Sequence, residues 1–250
     1  MLRAVIWDVD GTLAETERDG HRMAFNAAFA ELGLSWYWSV PHYGELLHIT
    51  GGYERLLHDM ASRADAPPLQ PEREHLARAL HRAKNRYYAE HVERGAIALR
   101  PGVRELIDDC IHSGVRLAIA TTTSRSNLDA LMLSNLGGDW ARRFASVACA
   151  EDAPLKKPHP QVYELTLARL GLPADQTVAV EDAPNGCLAA RAAGVPVVVT
   201  PSEYFPEHDA AEALAIGPSL GSPLGWSQAT ISSERVTLSC IDHWLATRRG

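Results

Sequence analysis

Short runs of apolar residues recur along the chain, and most of them stop at a charged or hydroxyl residue. The first run covers residues 2–7 (LRAVIW) and ends at Asp8. Continuous apolar runs of this length are typical of strands that are buried on both faces, as in a parallel sheet. The pattern predicts five such strands, at residues 2–7, 115–121, 144–149, 177–180 and 195–200.

Segments with helical periodicity separate the later strands. They are predicted at residues 102–113, 127–136, 160–170 and 184–193. Alternation of strands and helices favours an α/β fold with a doubly wound parallel sheet of the Rossmann-like type. Near the end of the chain, a loop rich in Gly, Ser and Pro is predicted at residues 217–226, and a last strand and helix at 235–248.

The chain between the first two strands is too long for a simple crossover connection. Residues 15–33 and 71–94 have apolar residues at helical spacing, and Gly51-Gly52 and Pro67-Pro68 indicate loops between helices. We therefore predict that residues 15–97 form an inserted all-helical cap. Residues 1–14 and 98–250 then form the Rossmann-like core.

Composition narrows the possible partners. The 250 residues are 46% hydrophobic and 22% charged, with a formal net charge of -7. There is no overall positive field to attract nucleic acid or anionic lipid, and no apolar stretch of membrane-spanning length. The four cysteines are far apart and lack CxxC pairing, which favours a reducing compartment. We expect a cytoplasmic monomer whose partner is a small molecule, with no nucleic-acid or membrane partner.

Polar residues follow four of the predicted strands. Asp8 and Asp10 follow the first strand, and side chains two residues apart in extended chain point to the same face. The hydroxyl residues 121–124 follow the second strand, Lys156-Lys157 the third, and Glu181-Asp182 the fourth. Each pattern alone has an ordinary explanation: a solvated turn, a helix N-cap or surface charge.

A parallel sheet brings the carboxyl ends of its strands to one edge, so these side chains should lie together. Carboxylates, a hydroxyl and a lysine are what a Mg²⁺-assisted phosphoryl transfer requires. One carboxylate attacks the phosphoryl group and another handles a proton, while cations neutralise the phosphate oxygens. These residues therefore predict a site for Mg²⁺-assisted phosphoryl transfer.

Four segments resemble the motifs of the haloacid dehalogenase superfamily: DVDGT at 8–12, ATTTS at 120–124, KKP at 156–158 and VEDAPNG at 180–186. The resemblance implies that Asp8 is the nucleophile, that Asp10 is the general acid and base, and that Lys157 neutralises the phosphate. Thr121 would hold the phosphate, and the further substrate-binding candidates in these motifs are Thr122, Thr123 and Asn185.

The same resemblance implies a Mg²⁺ site. Its ligands would be Asp8, the backbone carbonyl of Asp10, and Asp182, and Glu181 would add a direct or an outer contact. Mg²⁺ prefers about six oxygen ligands, so water and phosphate oxygens would complete the set.

Within the superfamily, three further segments resemble the CbbY-type sugar-bisphosphate phosphatases of Calvin-cycle organisms: residues 14–29, the TGG at 50–52 and LRPGV at 99–103. This resemblance implies that the substrate is a pentulose bisphosphate such as xylulose-1,5-bisphosphate. Such relatives often have Lys where this chain has Tyr53, and Arg55 is the cation that we expect to replace it. The expected substrate-binding residues of the cap are Glu17, His21, Gly51, Gly52 and Arg55.

Three alternatives remain at this point. A β-phosphoglucomutase shares the motifs and the cap, but it returns the phosphoryl group to a sugar. A dehalogenase does not have Asp at the second position of the first motif. A non-enzymatic phospho-acceptor module would need no cap. The histidines at positions 42, 48, 58, 75, 81 and 91 have no metal-binding spacing, and we interpret them as surface or cap residues.

Overall fold

A computed structural model describes residues 1–206, 212–228 and 234–248. Its centre is a six-stranded parallel sheet in the order β3-β2-β1-β4-β5-β6. The strands are β1 (Ala4–Trp7), β2 (Arg116–Ala120), β3 (Ser146–Ala148), β4 (Thr177–Glu181), β5 (Val197–Val199) and β6 (Ala215–Ile216).

The α-helices of the described residues fall into two groups. Four lie within residues 15–97: α1 (Arg22–Glu31), α2 (Val40–Leu46), α3 (Gly52–Ser62) and α4 (Gln70–Glu93). The others are α5 (Val103–His112), α6 (Arg125–Leu136), α7 (Gln161–Leu170), α8 (Pro184–Ala192) and α9 (Leu238–Thr247). In the described part of the chain, no helix is long and apolar enough to cross a membrane.

The predicted fold class is confirmed, and the five predicted strands are present within two residues of their expected bounds. Two predictions near the end of the chain need correction. Residues 215–216 form a strand that was not predicted, because two residues are too few to give a periodic pattern. The strand expected at the start of 235–248 is absent, since Arg235 pairs with Asp109 and the chain leads directly into α9.

The sheet is covered on both faces. Val5, Trp7 and Ile119 face a core that α5, α6 and α9 complete. Ile6 and Ala118, on the opposite face, pack against α7 and α8. Burial on both faces explains why the strands have continuous apolar runs in the sequence.

The helices of residues 15–97 have an aromatic core of their own. Phe25, Phe29, Trp36 and Trp38 are buried there, and Trp38 donates a hydrogen bond to Asp59. The segment predicted as one helix at 15–33 begins as a single π-helical turn, Glu17–His21, and continues as α1. We retain residues 15–97 as the proposed cap.

The two ends of this segment lie side by side. Ala14 and Leu99 form an antiparallel bridge. The next residue, Arg100, donates hydrogen bonds to the carbonyl oxygens of Gly11, Thr200 and Pro201. The chain therefore leaves and re-enters the sheet layer at one place, directly beside the loop that follows β1.

Candidate active site

The candidate site lies where the strand order of the sheet reverses. β1 sits between β2 and β4, and ligands of open α/β sheets bind beyond the carboxyl ends of strands at such a point. A cavity of about 130 Å³ opens there, between the strand ends and the helices of residues 15–97. Of the predicted site residues, all except Thr121 line it: Asp8, Asp10, Glu17, His21, Gly51, Gly52, Arg55, Thr122, Thr123, Lys157, Glu181, Asp182 and Asn185.

Three carboxylates meet at the floor of this cavity. One oxygen from each of Asp8, Glu181 and Asp182 lies within 4.8 Å of the others, and all three residues are buried. Lys157 Nζ donates to Asp8 Oδ1 and to Glu181 Oε1, at 2.7 Å in both cases. Tyr163 Oη also donates to Glu181 Oε1. The sheet thus brings together residues that are far apart in the sequence.

The cluster contains more negative charge than Lys157 can balance. Burial raises the pKa of Asp8 to about 7, helped by the charge of Glu181 and opposed by Lys157. Burial and the charges of Asp8 and Glu181 also raise the pKa of Asp182 well above its usual range. Burial alone would lower the pKa of Lys157, but its two carboxylate partners raise it, so Lys157 stays charged.

These residues fit a hard divalent cation. The three clustered side chains offer only oxygen atoms as ligands. A divalent cation beside them would balance the negative charge that Lys157 leaves uncompensated. Asp8 and Asp182 are the predicted ligands that the structure brings together. Glu181 belongs to the same cluster, while the side chain of Asp10 does not.

Gly11 is needed for the geometry of the loop after β1. Its φ is +86°, and a Cβ atom there would lie 2.2 Å from Asp182 Oδ2. Thr12 Oγ1 donates to Asp182 Oδ1 at 3.3 Å. The loop therefore closes directly onto the acidic cluster, which only a residue without a side chain allows.

Asp10 points toward the cap. Its Oδ1 accepts a hydrogen bond from Thr16 Oγ1 at 2.5 Å and lies 2.9 Å from His21 Nε2. Burial acts to raise the pKa of Asp10, but His21 and Thr16 together lower it below its usual range. Asp10 is therefore ionised here and can accept a proton.

Two predicted cap residues are already engaged with each other through Tyr43. The Tyr43 hydroxyl donates to Glu17 Oε2 at 2.5 Å and accepts from Arg55 Nη1 at 2.8 Å. Arg55 also donates to the Leu46 carbonyl and is only 6% exposed. Arg55 lines the cavity, but its guanidinium is bound within the cap.

Several residues that line the cavity were not predicted as site residues from the sequence, among them two ionisable residues of α4. Lys84 and His81 lie about one turn apart on α4, and both line the cavity. His81 lies in the proposed cap and also lines the cavity, and Lys84 is a further cation beside Arg55 on the cap side of the cavity. A Cβ atom on Gly52 would lie 3.4 Å from the His81 ring. The available signal was a lysine on the apolar face of α4, four residues after the buried Leu80.

Lys84 is a buried cation without a carboxylate ion pair among the described residues. Its Nζ lies 5.3 Å from the ring centroids of both Phe25 and Tyr88. Burial lowers its pKa to about 8, although Asp10 and Glu17 act to raise it. Burial and the charge of Lys84 lower the pKa of His81 to about 4. This end of the cavity is suited to an anion.

The remaining predicted residues divide into two groups. Thr122 and Thr123 line the cavity, whereas Thr121 lies beneath them, and its Oγ1 accepts the backbone N–H of Thr123 at 3.1 Å. Asn185 lines the cavity as well, but its Nδ2 donates to Thr50 Oγ1 at 3.0 Å. Thr121 thus accepts a hydrogen bond within the loop, and its role toward phosphate stays a prediction, while Asn185 connects the core to the proposed cap.

Comparison with known proteins agrees with this geometry. Residues 2–194 match the family model of the haloacid dehalogenase-like hydrolases. The CbbY protein of Cupriavidus necator, plasmid form, is 47% identical over 224 residues, which cover 89% of this chain and 87% of that protein. The CbbY protein of Rhodobacter capsulatus is 48% identical over 203 residues, covering 81% and 87%.

Solved structures show the same relationship. CbbY from Rhodobacter sphaeroides in complex with phosphate superposes with a TM-score of 0.82 at 40% identity, covering 88% of this chain and 95% of that one. A variant of the same protein in complex with xylulose-1,5-bisphosphate matches equally well. The predicted resemblance is thus confirmed, and the chain is a phosphatase that belongs to the haloacid dehalogenase-like hydrolase family.

Proposed function

We propose that this chain hydrolyses a small sugar bisphosphate, in a magnesium-dependent reaction that passes through a phosphoryl group on Asp8. The proposal rests above all on one arrangement. A buried lysine, Lys157, holds the predicted nucleophile Asp8 beside two further carboxylates, while a second buried lysine, Lys84, faces the same cavity from the cap. The cavity thus has a cationic group for each phosphate of a bisphosphate.

In the first step, an oxygen of Asp8 attacks phosphorus and the bond from phosphorus to the sugar oxygen breaks. The departing oxygen takes a proton from Asp10. In the second step, water attacks the phosphoryl group on Asp8 and gives a proton to Asp10, which releases phosphate and restores the Asp8 carboxylate and the protonated Asp10.

Asp10 must be protonated before the first step, although its contacts with His21 and Thr16 favour the carboxylate. An arriving phosphate dianion raises the pKa of Asp10, because a neighbouring like charge favours the neutral form. Substrate binding thereby prepares the acid that the first step consumes.

Asp8, Asp182 and Glu181, with the backbone carbonyl of Asp10, would hold Mg²⁺, which when bound neutralises phosphate oxygens and polarises the phosphoryl group. Lys157 donates to the same oxygens. Thr122 and Thr123 add hydroxyl and backbone donors ahead of α6, where the helix dipole favours an anion.

The distal phosphate would bind at the cap. Lys84 supplies the charge, His81 and the backbone at Gly51 and Gly52 supply further donors, and Arg55 supports Glu17 through Tyr43. The relative crystallised with xylulose-1,5-bisphosphate supports a pentulose bisphosphate of this kind as the substrate. We also keep a cytoplasmic, monomeric protein as a prediction.

The test is phosphate release from xylulose-1,5-bisphosphate, ribulose-1,5-bisphosphate, fructose-1,6-bisphosphate and β-glucose 1-phosphate. We expect a pentulose bisphosphate to give the highest kcat/KM, with activity that disappears in EDTA and returns with Mg²⁺. Faster conversion of β-glucose 1-phosphate to glucose 6-phosphate would establish the mutase alternative instead. Full turnover in EDTA would contradict the proposed mechanism.

A further inference from the structure

The hydroxyl of Tyr163 is part of the active-site network, although it lies outside the motif segments. Tyr163 is in the first turn of α7 and is fully buried. Its Oη donates to Glu181 Oε1, the same oxygen that accepts from Lys157 Nζ at 2.7 Å. Lys157 Nζ also lies 5.2 Å from the centroid of the Tyr163 ring. One tyrosine thus contacts both members of the Glu181–Lys157 pair.

Glu181 is confined from the other side by α8. A Cβ atom on Gly186 would lie 2.0 Å from Glu181 Oε2 and 2.4 Å from Oε1. The carboxylate is therefore pressed against the backbone of Gly186, while both donors, Tyr163 and Lys157, bind one of its oxygens. The carboxylate has little freedom to rotate.

Lys157 is shared between two carboxylates. Its ammonium has three protons, of which one goes to Asp8 and one to Glu181. The third remains for a ligand in the cavity that Lys157 lines. How the ammonium is shared depends on how strongly each carboxylate attracts it, and a hydrogen bond to Glu181 from another donor weakens the attraction from that side.

We infer that Tyr163 is a positioning residue, which keeps Lys157 between Asp8 and Glu181 and leaves its third proton for a phosphoryl oxygen. The inference relies on the proposed function only for the role of Lys157 toward phosphate. Without the hydroxyl, Glu181 Oε1 has a single donor in a buried place, and it draws Lys157 away from Asp8.

The test is Tyr163→Phe, which removes the hydroxyl and keeps the ring. Inorganic phosphate should bind about tenfold more weakly in the presence of Mg²⁺, measured by isothermal titration calorimetry, and kcat/KM should fall by a similar factor. Tenfold is close to the loss expected for one hydrogen bond to a charged group. Thr166→Val is the matched control, because it removes another buried hydroxyl of α7, one that donates only to the Val162 carbonyl.

Gly186→Ala provides an independent variant, since its new methyl group displaces the Glu181 carboxylate from the opposite side. It should weaken phosphate binding in the same way, even if Tyr163→Phe does not fold. Phosphate affinity within twofold of the wild type in folded Tyr163→Phe, or equal losses in Tyr163→Phe and Thr166→Val, would overturn the inference. Phosphate binding is measured without turnover, so failure of the proposed bisphosphate hydrolysis would be seen separately.

Discussion

The two halves of the active site are built on different principles. In the core half, the polar side chains are hydrogen-bonded to one another. Lys157 donates to Asp8 and to Glu181, and Tyr163 donates to Glu181 as well. In the cap half, Lys84 faces aromatic rings and has no carboxylate ion pair within the described ranges. The core half is organised for its chemistry before substrate arrives, whereas the cap half has a cation whose charge an incoming anion would balance.

This difference separates catalysis from recognition. Changes in the core half should lower turnover for every substrate, because the reacting phosphate meets the same network each time. Changes in the cap half should discriminate between substrates by what lies at their distal end. The predictions below test this division, from the largest expected effect to the smallest.

The largest effect is expected for Asp8→Asn. An amide is not a competent nucleophile, so turnover should fall by at least about 10⁴-fold for bisphosphates and monophosphates alike. Asp10→Asn should lose roughly 10²–10⁴-fold, the usual range for a general acid and base. Phosphate release and mass spectrometry of the phosphorylated protein check both variants. Near-normal turnover in Asp8→Asn would show that the nucleophile lies elsewhere.

For the cap half, the informative variant is Lys84→Met, which keeps the buried stem of the side chain and removes its charge. We expect KM to rise about 10–100-fold for a bisphosphate and no more than about threefold for a monophosphate, since an ion pair made in a buried site is lost only with the former. Arg82→Met is the matched control, because Arg82 is an exposed cation on the same helix.

The kinetic outcome decides where the distal phosphate binds. Equal rises in KM for both substrate classes would assign Lys84 to the reacting phosphate or to the packing of the cap. A rise with Arg82→Met would indicate a general effect of charge. Arg55→Ala is a poorer test than it seemed from the sequence, because it also removes hydrogen bonds to Tyr43 and Leu46.

The division also explains what the sequence could predict. Asp8, Lys157 and Glu181 were found because each follows or ends a strand, and parallel strands bring their carboxyl ends to one edge. The side chain of Lys84 could not be placed in this way. α4 has 24 residues, and which part of its buried face meets the cavity depends on how the cap packs on the core. The spacing of apolar residues shows which face of a helix is buried, but it does not show which part of the protein that face contacts.

Arg55 shows a related limit. Its planar guanidinium group and its position after Gly51-Gly52 suggested that it binds phosphate. In the structure, however, it donates hydrogen bonds to the Tyr43 hydroxyl and the Leu46 carbonyl. Arg55 does line the cavity, as the sequence suggested, but both groups that accept its hydrogen bonds belong to another helix, α2. Tyr163 was missed for the same reason, because its contact with Glu181 spans two separate elements of the core.

The acidic cluster should also affect stability. The pKa of Asp8 is about 7 in the folded protein without metal, compared with 3.8 for an aspartate carboxyl group that is not buried, as in the unfolded chain. Between these values the folded state binds more protons than the unfolded state, so stability falls as pH rises from about 4 to about 7. Asp8→Asn removes this loss, and its Tm without metal should exceed that of the wild type by several degrees at pH 8.

The difference in Tm between Asp8→Asn and the wild type should become smaller as the pH is lowered toward 4. It should also become smaller when Mg²⁺ is added, because either a proton or a cation relieves the repulsion among the carboxylates of the wild type. Thermal unfolding followed by circular dichroism, in EDTA and in MgCl₂, measures it. A gap that is independent of pH would show that Asp8 is not the group whose charge is costly in the folded protein.

The smallest effect is expected where the two halves meet. Asn185 Nδ2 donates to Thr50 Oγ1 and to the His48 carbonyl oxygen, so it connects the core to the proposed cap. Asn185→Ala should lower kcat/KM about threefold, because an exposed or half-buried neutral hydrogen bond contributes only about 0.5–1.5 kcal/mol. If the contact acts through Thr50, then Thr50→Val should have a similar effect, and the double variant should be no worse than either single one. Additive losses would mean that Asn185 acts through a partner other than Thr50, namely the His48 carbonyl or the substrate that the sequence motif suggested.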